Sequence, residues 1–292
     1  MSLLLNLDDL IKNLGNIEYR LDCSLKDFNK YGTGGNADMV VIPKSVNELI
    51  KVVNLVQNYP YFIIGNGSNL LVSDKGYKGV CISTKHVNKT DIKGNLYTAE
   101  CGANLQKVIE DCKNNCLSGL EFACSIPATV GGAVFMNAGC YNKSISECVC
   151  YVITNKGTYN ASECKFGYRT SRFKNGEVIL KVCFSLTPND EDIIEEKIKN
   201  YKGFRKNPKG KNCGSVFKND GYFAGKIIDE VGLRGFSYKG AKVSLEHANF
   251  IVANANCTSN DIYTLINIIK DKVYKEKQIL LNEEIIYLGD FK

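Results

Sequence analysis

Two glycine-rich stretches constrain this chain more than anything else in it. One is Gly65-Asn66-Gly67-Ser68-Asn69, which follows the apolar run Tyr61-Phe62-Ile63-Ile64. The other is Ser125-Ile126-Pro127-Ala128-Thr129-Val130-Gly131-Gly132-Ala133, which runs into Met136-Asn137-Ala138-Gly139. A short apolar run bounded by glycine reads as a buried strand. Glycine has no side chain to hold a backbone away from a ligand, so its amides can approach an anion and donate to it. Two such loops suggest a phosphate-bearing cofactor gripped at both ends, with a dinucleotide the natural candidate. Read alone, each stretch is an ordinary structural turn sooner than a ligand grip. Neither is a P-loop, because no Gly-Lys-Ser/Thr follows, and Gly65-Asn66-Gly67 lacks the third glycine of the Rossmann fingerprint. A nucleotide grip in this chain therefore belongs to another fold.

The 292 residues suffice for one large or two to three smaller domains, and 44% apolar with 23% charged residues is ordinary for a soluble globular protein. A net charge of +6 is spread along the chain without a basic run interleaved with aromatics, so no nucleic-acid partner is expected. The start, Met1-Ser2-Leu3-Leu4-Leu5-Asn6-Leu7-Asp8-Asp9, has no basic region and turns acidic, which is not the pattern of a secretion signal. No apolar run approaches spanning length, so no membrane partner is expected and a cytoplasmic location is. Thirteen cysteines do not form paired Cys-x-x-Cys knuckles, although Cys112 and Cys116 lie one helical turn apart and Cys148 and Cys150 are separated by one residue. They read as reduced and structural, those in apolar runs such as Cys81, Cys101 and Cys183 acting as small hydrophobes, and no metal is expected. With only His86 and His247 present, the proton donor of any catalytic reaction is expected not to be histidine.

Short strands and helices alternate through the first two-thirds. Asp38 to Ile42 reads as a strand, then Ser45 caps a helix with Glu48 completing a capping box and Val46, Leu49, Ile50 and Val53 on its apolar face. Strands at Phe62–Ile64 and Val80–Ser83 follow, then a helix after Asn104 with Leu105, Val108, Ile109 and Cys112 on one face, ending near Gly119. Strands dominate from Cys148 to Leu186. An acidic first turn after Pro188-Asn189-Asp190 opens a helix carrying Ile194, Ile198 and Tyr201, whose basic exit over Lys202–Lys209 reads as a domain joint. A compact end unit follows, with a helix around Ala224 to Val231 stopped at Gly232 and another from about Asp261 to Tyr274 that buries Ile262, Leu265, Ile266, Ile269 and Val273. A strand over Glu284–Leu288 closes the chain. The expected class is α+β.

The order of these motifs resembles the UDP-N-acetylenolpyruvoylglucosamine reductase family from about Leu25 to Gly289. The resemblance rests on Tyr31-Gly32-Thr33-Gly34-Gly35, the Gly65–Leu71 loop, Ile126 to Gly139, Gly167-Tyr168-Arg169-Thr170-Ser171 and Gly214-Ser215-Val216-Phe217-Lys218-Asn219. It continues through Ala224–Asp229, Val243-Ser244-Leu245-Glu246-His247-Ala248-Asn249-Phe250 and Glu284-Ile285. Each fragment is weak; their order and spacing together are specific. The resemblance implies an FAD-binding region of the vanillyl-alcohol-oxidase type, made of two α+β halves (1–84 and 85–200), followed by a smaller α+β substrate-binding domain (201–292). Only a short stretch separates Arg169 from Ser215, so the chain resembles the shorter type of the family, without the extra substrate-covering loop.

It further implies non-covalent FAD, NADPH as hydride donor and UDP-N-acetylglucosamine enolpyruvate as substrate in peptidoglycan synthesis, and a monomer is expected. Carried over by resemblance, Ser215 is the proton donor and Arg169 and Glu284 are the other catalytic positions. Flavin contacts fall to Tyr31, Gly65, Asn66, Gly67, Ser68, Asn69, Leu70, Ile126, Pro127, Gly131, Gly132, Asn137 and Gly139. Substrate contacts fall to Tyr168, Lys218, Asn219 and His247. Read without the resemblance, Ser215 is a turn residue after Gly214, Arg169 and Glu284 are strand-end charges, and Lys218 fits a solvated strand lysine. Glu283 competes with Glu284 for the same role.

The chain departs from the family pattern in three places. Ser125 and Ala128 stand where glycines are usual, which bears on flavin affinity, and Asp220 replaces a proline, bringing a negative charge toward substrate phosphates unless it points away. Two rival readings are a flavin-tethering oxidase of the same fold and a catalytically dead nucleotide-binding relative. His86 lies outside both glycine loops, which disfavours a histidine tether while a cysteine tether stays open, and the intact Arg169, Ser215 and Glu284 set argues against a dead relative.

Overall fold

The computed structural model describes residues 7–204 and 207–291. Met1 to Asn6 of the acidic start, and Arg205 and Lys206 of the basic exit, lie outside the described residues. The chain forms two units that interleave in sequence. The first holds residues 7–20, 40–66 and 80–204; the second holds 21–39, 67–79 and 207–291.

In the first unit, Ser45 is extended and accepts a hydrogen bond from the Glu48 amide at 3.2 Å, opening the helix Val46–Leu55, which buries Leu49, Val52 and Val53. The expected capping box is shifted by one residue, because the Glu48 carboxylate takes the Lys44 amide at 2.7 Å instead of that of Ser45. Either way an orphan donor at the helix start is satisfied. The strand Tyr61–Ile64 lies parallel to the end of Tyr77–Ser83, with Tyr61 opposite Val80 and Ile64 opposite Ser83. Asn104 caps the helix Leu105–Asn114 through the amides of Gln106 and Lys107, and Leu105, Val108, Ile109 and Cys112 are buried along it. That helix stops before Gly119 because Cys116 takes a left-handed conformation, φ +55.

A five-stranded antiparallel sheet forms the rest of this core, in the order Gly157–Asn160, Val149–Thr154, Ile179–Ser185, Leu96–Glu100, Thr90–Lys93. Val152 faces Val182 and Val182 faces Ala99, all fully buried. The segment between Gly157–Asn160 and Ile179–Ser185 is not the strand region the sequence suggested. It consists of 3-10 turns at Ala161–Cys164 and Arg172–Asn175 flanking a tight turn at Gly167–Thr170. Lys165, Arg169 and Gly176 all have positive φ there, outside the extended region that a regular strand repeats.

The second unit is built on the helix Ser259–Lys277, whose buried face is Ile262, Leu265, Ile266, Ile269 and Val273, as its spacing predicted. Thr258 and Asp261 make its capping box, and the Asp74 carboxylate accepts from the Ser259 and Asn260 amides at 3.0 and 2.8 Å. An anion over those first amides also complements the helix dipole. The helix Ala224–Glu230 ends where Gly232 turns left-handed, φ +70. A small antiparallel sheet runs Ser237–Tyr238, Ala241–Val243, Ile251–Ala253, and the strand Leu70–Val72 lies parallel to Ile286–Leu288. Glu284 thus precedes the final strand instead of starting it.

Cys81, Cys101, Cys112, Cys124, Cys148, Cys164, Cys183 and Cys213 are buried, while Cys116 is exposed, and none of the thirteen cysteines is in a disulfide. Burial pushes the thiols of Cys101, Cys112 and Cys213 up to about 12. Among the described residues, no helix is long and apolar enough to cross a membrane.

Candidate active site

In the first unit, the structure brings several expected cofactor residues together around Asn66 and Thr129. Asn66 Nδ2 donates to Pro127 O at 2.6 Å, tying the first glycine loop to the second. A Cβ at Gly65 would overlap the Thr129 hydroxyl, and one at Gly131 would come within 2.8 Å of Cys101 Cβ. The second loop, however, spends its amides on the protein. Ile126 N donates to Ala123 O at 2.9 Å, Gly131 N to Cys101 O at 2.8 Å and Gly132 N to Thr129 Oγ1 at 3.2 Å. Its glycines serve close backbone packing, and what they leave for a ligand is space. Ala128 has no positive φ, so the methyl group at this departure from the family pattern is accommodated.

The first loop behaves differently. Among the described residues, none accepts a hydrogen bond from the amides of Gly65, Asn66, Gly67, Ser68 or Asn69, and the loop is only partly buried. A run of consecutive unspent amides is the donor set that a phosphate takes. These residues fit the pyrophosphate of FAD on that ground. The chain passes from the first unit to the second within this loop, between Asn66 and Gly67.

Asn137 is buried with φ +42; its Nδ2 donates to Gly167 O at 2.9 Å and its Oδ1 accepts from Ser146 N at 3.1 Å. It therefore fixes the turn that carries Tyr168 and Arg169. Arg169 itself has φ +55, its Nη2 donates to Gly139 O at 2.9 Å, and its guanidinium carbon lies 5.1 Å from the Tyr168 ring centroid. Expected as a strand-end charge, it sits instead on a left-handed turn whose carbonyl is held by Lys174 Nζ at 2.7 Å. Tyr168 is exposed.

In the second unit, Gly67 has φ +62, and a Cβ there would overlap Phe28 O. Its carbonyl accepts from Lys30 N at 3.1 Å and from the Cys213 thiol at 3.5 Å, and the same thiol reaches Leu70 O at 3.3 Å. Tyr31 is fully buried in this unit's core, its hydroxyl without a partner among the described residues, and burial drives that hydroxyl's pKa well above the ordinary tyrosine value. Asn69 Nδ2 donates to Glu284 O at 3.0 Å, and Ile286 N donates to Asn69 O at 3.0 Å.

Ser215 follows Gly214 (φ +78), pairs in a single antiparallel bridge with Phe250 and is half-buried. Glu284 N donates to Val216 O at 2.7 Å, so the two expected catalytic residues of this unit stand on directly paired backbone. Of the two adjacent carboxylates, Glu283 Oε1 accepts from Lys270 Nζ at 2.7 Å. Lys218 N donates to Asn282 O at 2.8 Å, Asn219 Oδ1 accepts from Ala224 N at 3.0 Å, and Asp220 takes the Asn282 side chain at 3.3 Å. His247 is exposed, its ring 4.9 Å from that of Phe250, and its Nδ1 accepts from Asn249 N at 3.2 Å. Among the described residues, no cluster of three or more His, Cys, Asp or Glu side chains is placed to hold a metal.

Asn249 and Thr129 were not singled out from sequence, yet each holds a backbone segment that carries expected site residues. Asn249 lies inside the Val243–Phe250 motif and Thr129 inside the second glycine loop, so position within a motif was the signal. Nothing in composition or periodicity separates a buried asparagine that clamps a strand from one in a turn.

Two family models match the chain. The family described as FAD binding domain matches residues 37–159, and that described as UDP-N-acetylenolpyruvoylglucosamine reductase, C-terminal domain, matches 206–288. A UDP-N-acetylenolpyruvoylglucosamine reductase of Clostridium kluyveri is 40% identical over 286 residues, covering 94% of each chain. One of Streptococcus pneumoniae is 37% identical over 297 residues, covering 98% of this chain and 99% of the relative. The crystal structure of the Thermus caldophilus enzyme of the same name superimposes with a TM-score of 0.81 at 32% identity, over 94% of this chain and 99% of that one. The α+β architecture, the FAD-binding region followed by a smaller carboxyl-terminal domain, and nearly full-length identity lead to one conclusion: the chain belongs to the UDP-N-acetylenolpyruvoylglucosamine reductase family of oxidoreductases.

Proposed function

We propose that the chain reduces the enolpyruvyl ether of UDP-N-acetylglucosamine enolpyruvate to UDP-N-acetylmuramate for peptidoglycan synthesis, as a cytoplasmic monomer that uses NADPH and non-covalent FAD. In this reading 1–84 and 85–200 are the halves of the cofactor region and 201–292 binds substrate. When bound, FAD supplies the hydride chemistry between NADPH and the β-carbon of the enolpyruvyl group. Saturating the double bond also requires one proton at the α-carbon, and this is assigned to the Ser215 hydroxyl. Serine is a weak acid in water, so the step depends on close range and on stabilisation of the charge that develops on the substrate carboxylate.

Arg169 is assigned to that carboxylate, because its planar fork offers two parallel donors. A carboxyl group meets an anionic substrate without repulsion only when it is protonated or paired with a cation. Glu284 is accordingly assigned to hydrogen-bond the substrate carboxylate or to orient Arg169. Lys218, Asn219, Tyr168 and His247 are assigned to the nucleotide and sugar, and the free amides of the Gly65–Asn69 loop to the FAD pyrophosphate.

The observation that carries the reading is the pairing of Glu284 N with Val216 O at 2.7 Å, which holds the proposed donor and the proposed carboxyl partner on neighbouring backbone. An anaerobic visible spectrum of the flavin-loaded protein tests it. NADPH should bleach the flavin bands and the enolpyruvyl substrate should restore them; bleaching without recovery would assign the chain a different acceptor.

A further inference from the structure

Asn249 is 3% exposed, and both ends of its side-chain amide are spent on a single residue. Oδ1 accepts from Phe217 N at 2.9 Å and Nδ2 donates to Phe217 O at 2.8 Å. Its own carbonyl accepts from Val216 N at 2.9 Å, and its neighbour Phe250 bridges Ser215. The segment Ser215–Phe217 is thus held along one edge entirely by residues 249 and 250. Along the other edge it is held by Glu284 N on Val216 O, a bridge between Phe217 and Glu283, and Lys218 N on Asn282 O. The segment is the middle line of three, and on one side a side chain does the work of a partner strand.

Few side chains can do this. A primary amide on a short stem presents a donor and an acceptor in one plane, which matches the N–H and C=O of one residue. An ionised aspartate in the same place would set a carboxylate oxygen against a buried carbonyl, and alanine would leave both Phe217 groups buried without a partner.

We propose that Asn249 is a positioning residue for the reaction: it fixes the backbone that aims Ser215 and, through Val216, the backbone that carries Glu284. The inference rests on the assignment of Ser215 as proton donor. It makes Asn249 specific to the substrate half-reaction, since the hydrogen bonds it makes all lie on the Ser215 segment and its own His247 turn and none reaches the Gly65–Asn69 loop.

The test is stopped-flow kinetics on flavin-loaded Asn249→Ala, with amide hydrogen exchange on the flavin-free protein as a readout independent of activity. Flavin reduction by NADPH should stay within about twofold of the native rate, while reoxidation by the enolpyruvyl substrate slows about 10- to 100-fold, the scale of an ångström-level misplacement. Exchange at the Phe217 and Glu284 amides should accelerate. In the Ser215→Ala background the Asn249→Ala change should add little, because two residues acting on one event are non-additive. Should Asn249→Ala not fold, Asn249→Asp retains the acceptor to Phe217 N and should slow the same half-reaction alone. Reoxidation within twofold of native, equal slowing of both half-reactions, or full additivity with Ser215→Ala would each overturn the proposal. If Ser215→Ala alone reoxidises at the native rate, the donor assignment fails, and exchange at Phe217 then reports only whether the clamp exists.

Discussion

The main-chain amide of Glu284 donates to the carbonyl of Val216 at 2.7 Å, and the carbonyl of Glu284 accepts from Asn69 Nδ2 at 3.0 Å. One residue therefore joins the backbone beside Ser215 to the end of the first glycine loop, within the second unit. Its neighbour Glu283 is occupied by Lys270.

The first prediction separates them. Glu284→Gln should lower kcat about 10- to 100-fold at steady state, the loss expected when a group tuned to the transition state is replaced. Glu283→Gln should leave kcat within about threefold and cost about 1 kcal/mol or less of stability, because the Lys270–Glu283 pair it weakens is partly exposed. Equal losses in the two variants would remove Glu284 from its assigned role.

Ser215→Ala removes the hydroxyl and nothing else. Bleaching of the flavin by NADPH should proceed at the native rate, and recovery on adding substrate should slow about 100- to 10,000-fold, the usual range for loss of a positioned proton donor. Rapid recovery in this variant would mean that the proton comes from elsewhere.

Two glycines with nearly equal backbone angles make a matched pair. Gly67 (φ +62) would push a Cβ into Phe28 O, whereas Gly94 (φ +61) has nothing within 4 Å. Gly94→Ala should cost about 1 kcal/mol, the strain of a left-handed alanine. Gly67→Ala should cost about 3 kcal/mol or more, since backbone must move as well, and should weaken FAD binding in a fluorescence titration. If both variants melt alike, close approach at Gly67 is not what the loop requires.

Alkali should destabilise the fold through its buried thiols. Burial raises Cys101, Cys112 and Cys213 to about 12, whereas an unfolded thiol ionises near 8.5. Above that lower value the unfolded chain binds fewer protons than the native one, so stability is fully present below it and falls as pH climbs toward 12. Each thiol contributes up to about 1.4 kcal/mol per pH unit in that window. Urea midpoints measured from pH 7 to 10.5 under reducing conditions should therefore decline above about pH 9, and a flat profile would show that these thiols are not protected.

Much of this was legible along the chain because it depends on near neighbours. Ser45 and Asn104 cap helices through amides two or three residues away, and the face Ile262, Leu265, Ile266, Ile269, Val273 is a repeat of one helical turn. Two local readings failed for local reasons of another kind. Gly167–Thr170 reads as strand from its strand neighbours, yet Arg169 is left-handed, and a chain can enter that region at a single residue without any compositional sign. The glycines of both loops looked equivalent, yet Gly131 spends its amide on Cys101 O and the Gly65–Asn69 amides are unspent.

By itself the sequence determined the α+β class, the helix limits to within a few residues, and, through the order of its motifs, the family with its cofactor and expected site residues. Tertiary structure alone decided which loop amides the protein itself uses, that Glu283 pairs with Lys270, and that Asn249 holds the Ser215 strand. These outcomes turn on hydrogen bonds between distant residues, Asn69 with Glu284 and Asn249 with Phe217. A hydrogen bond is decided by angles and tenths of an ångström at both partners, and those are set only when the whole chain has packed.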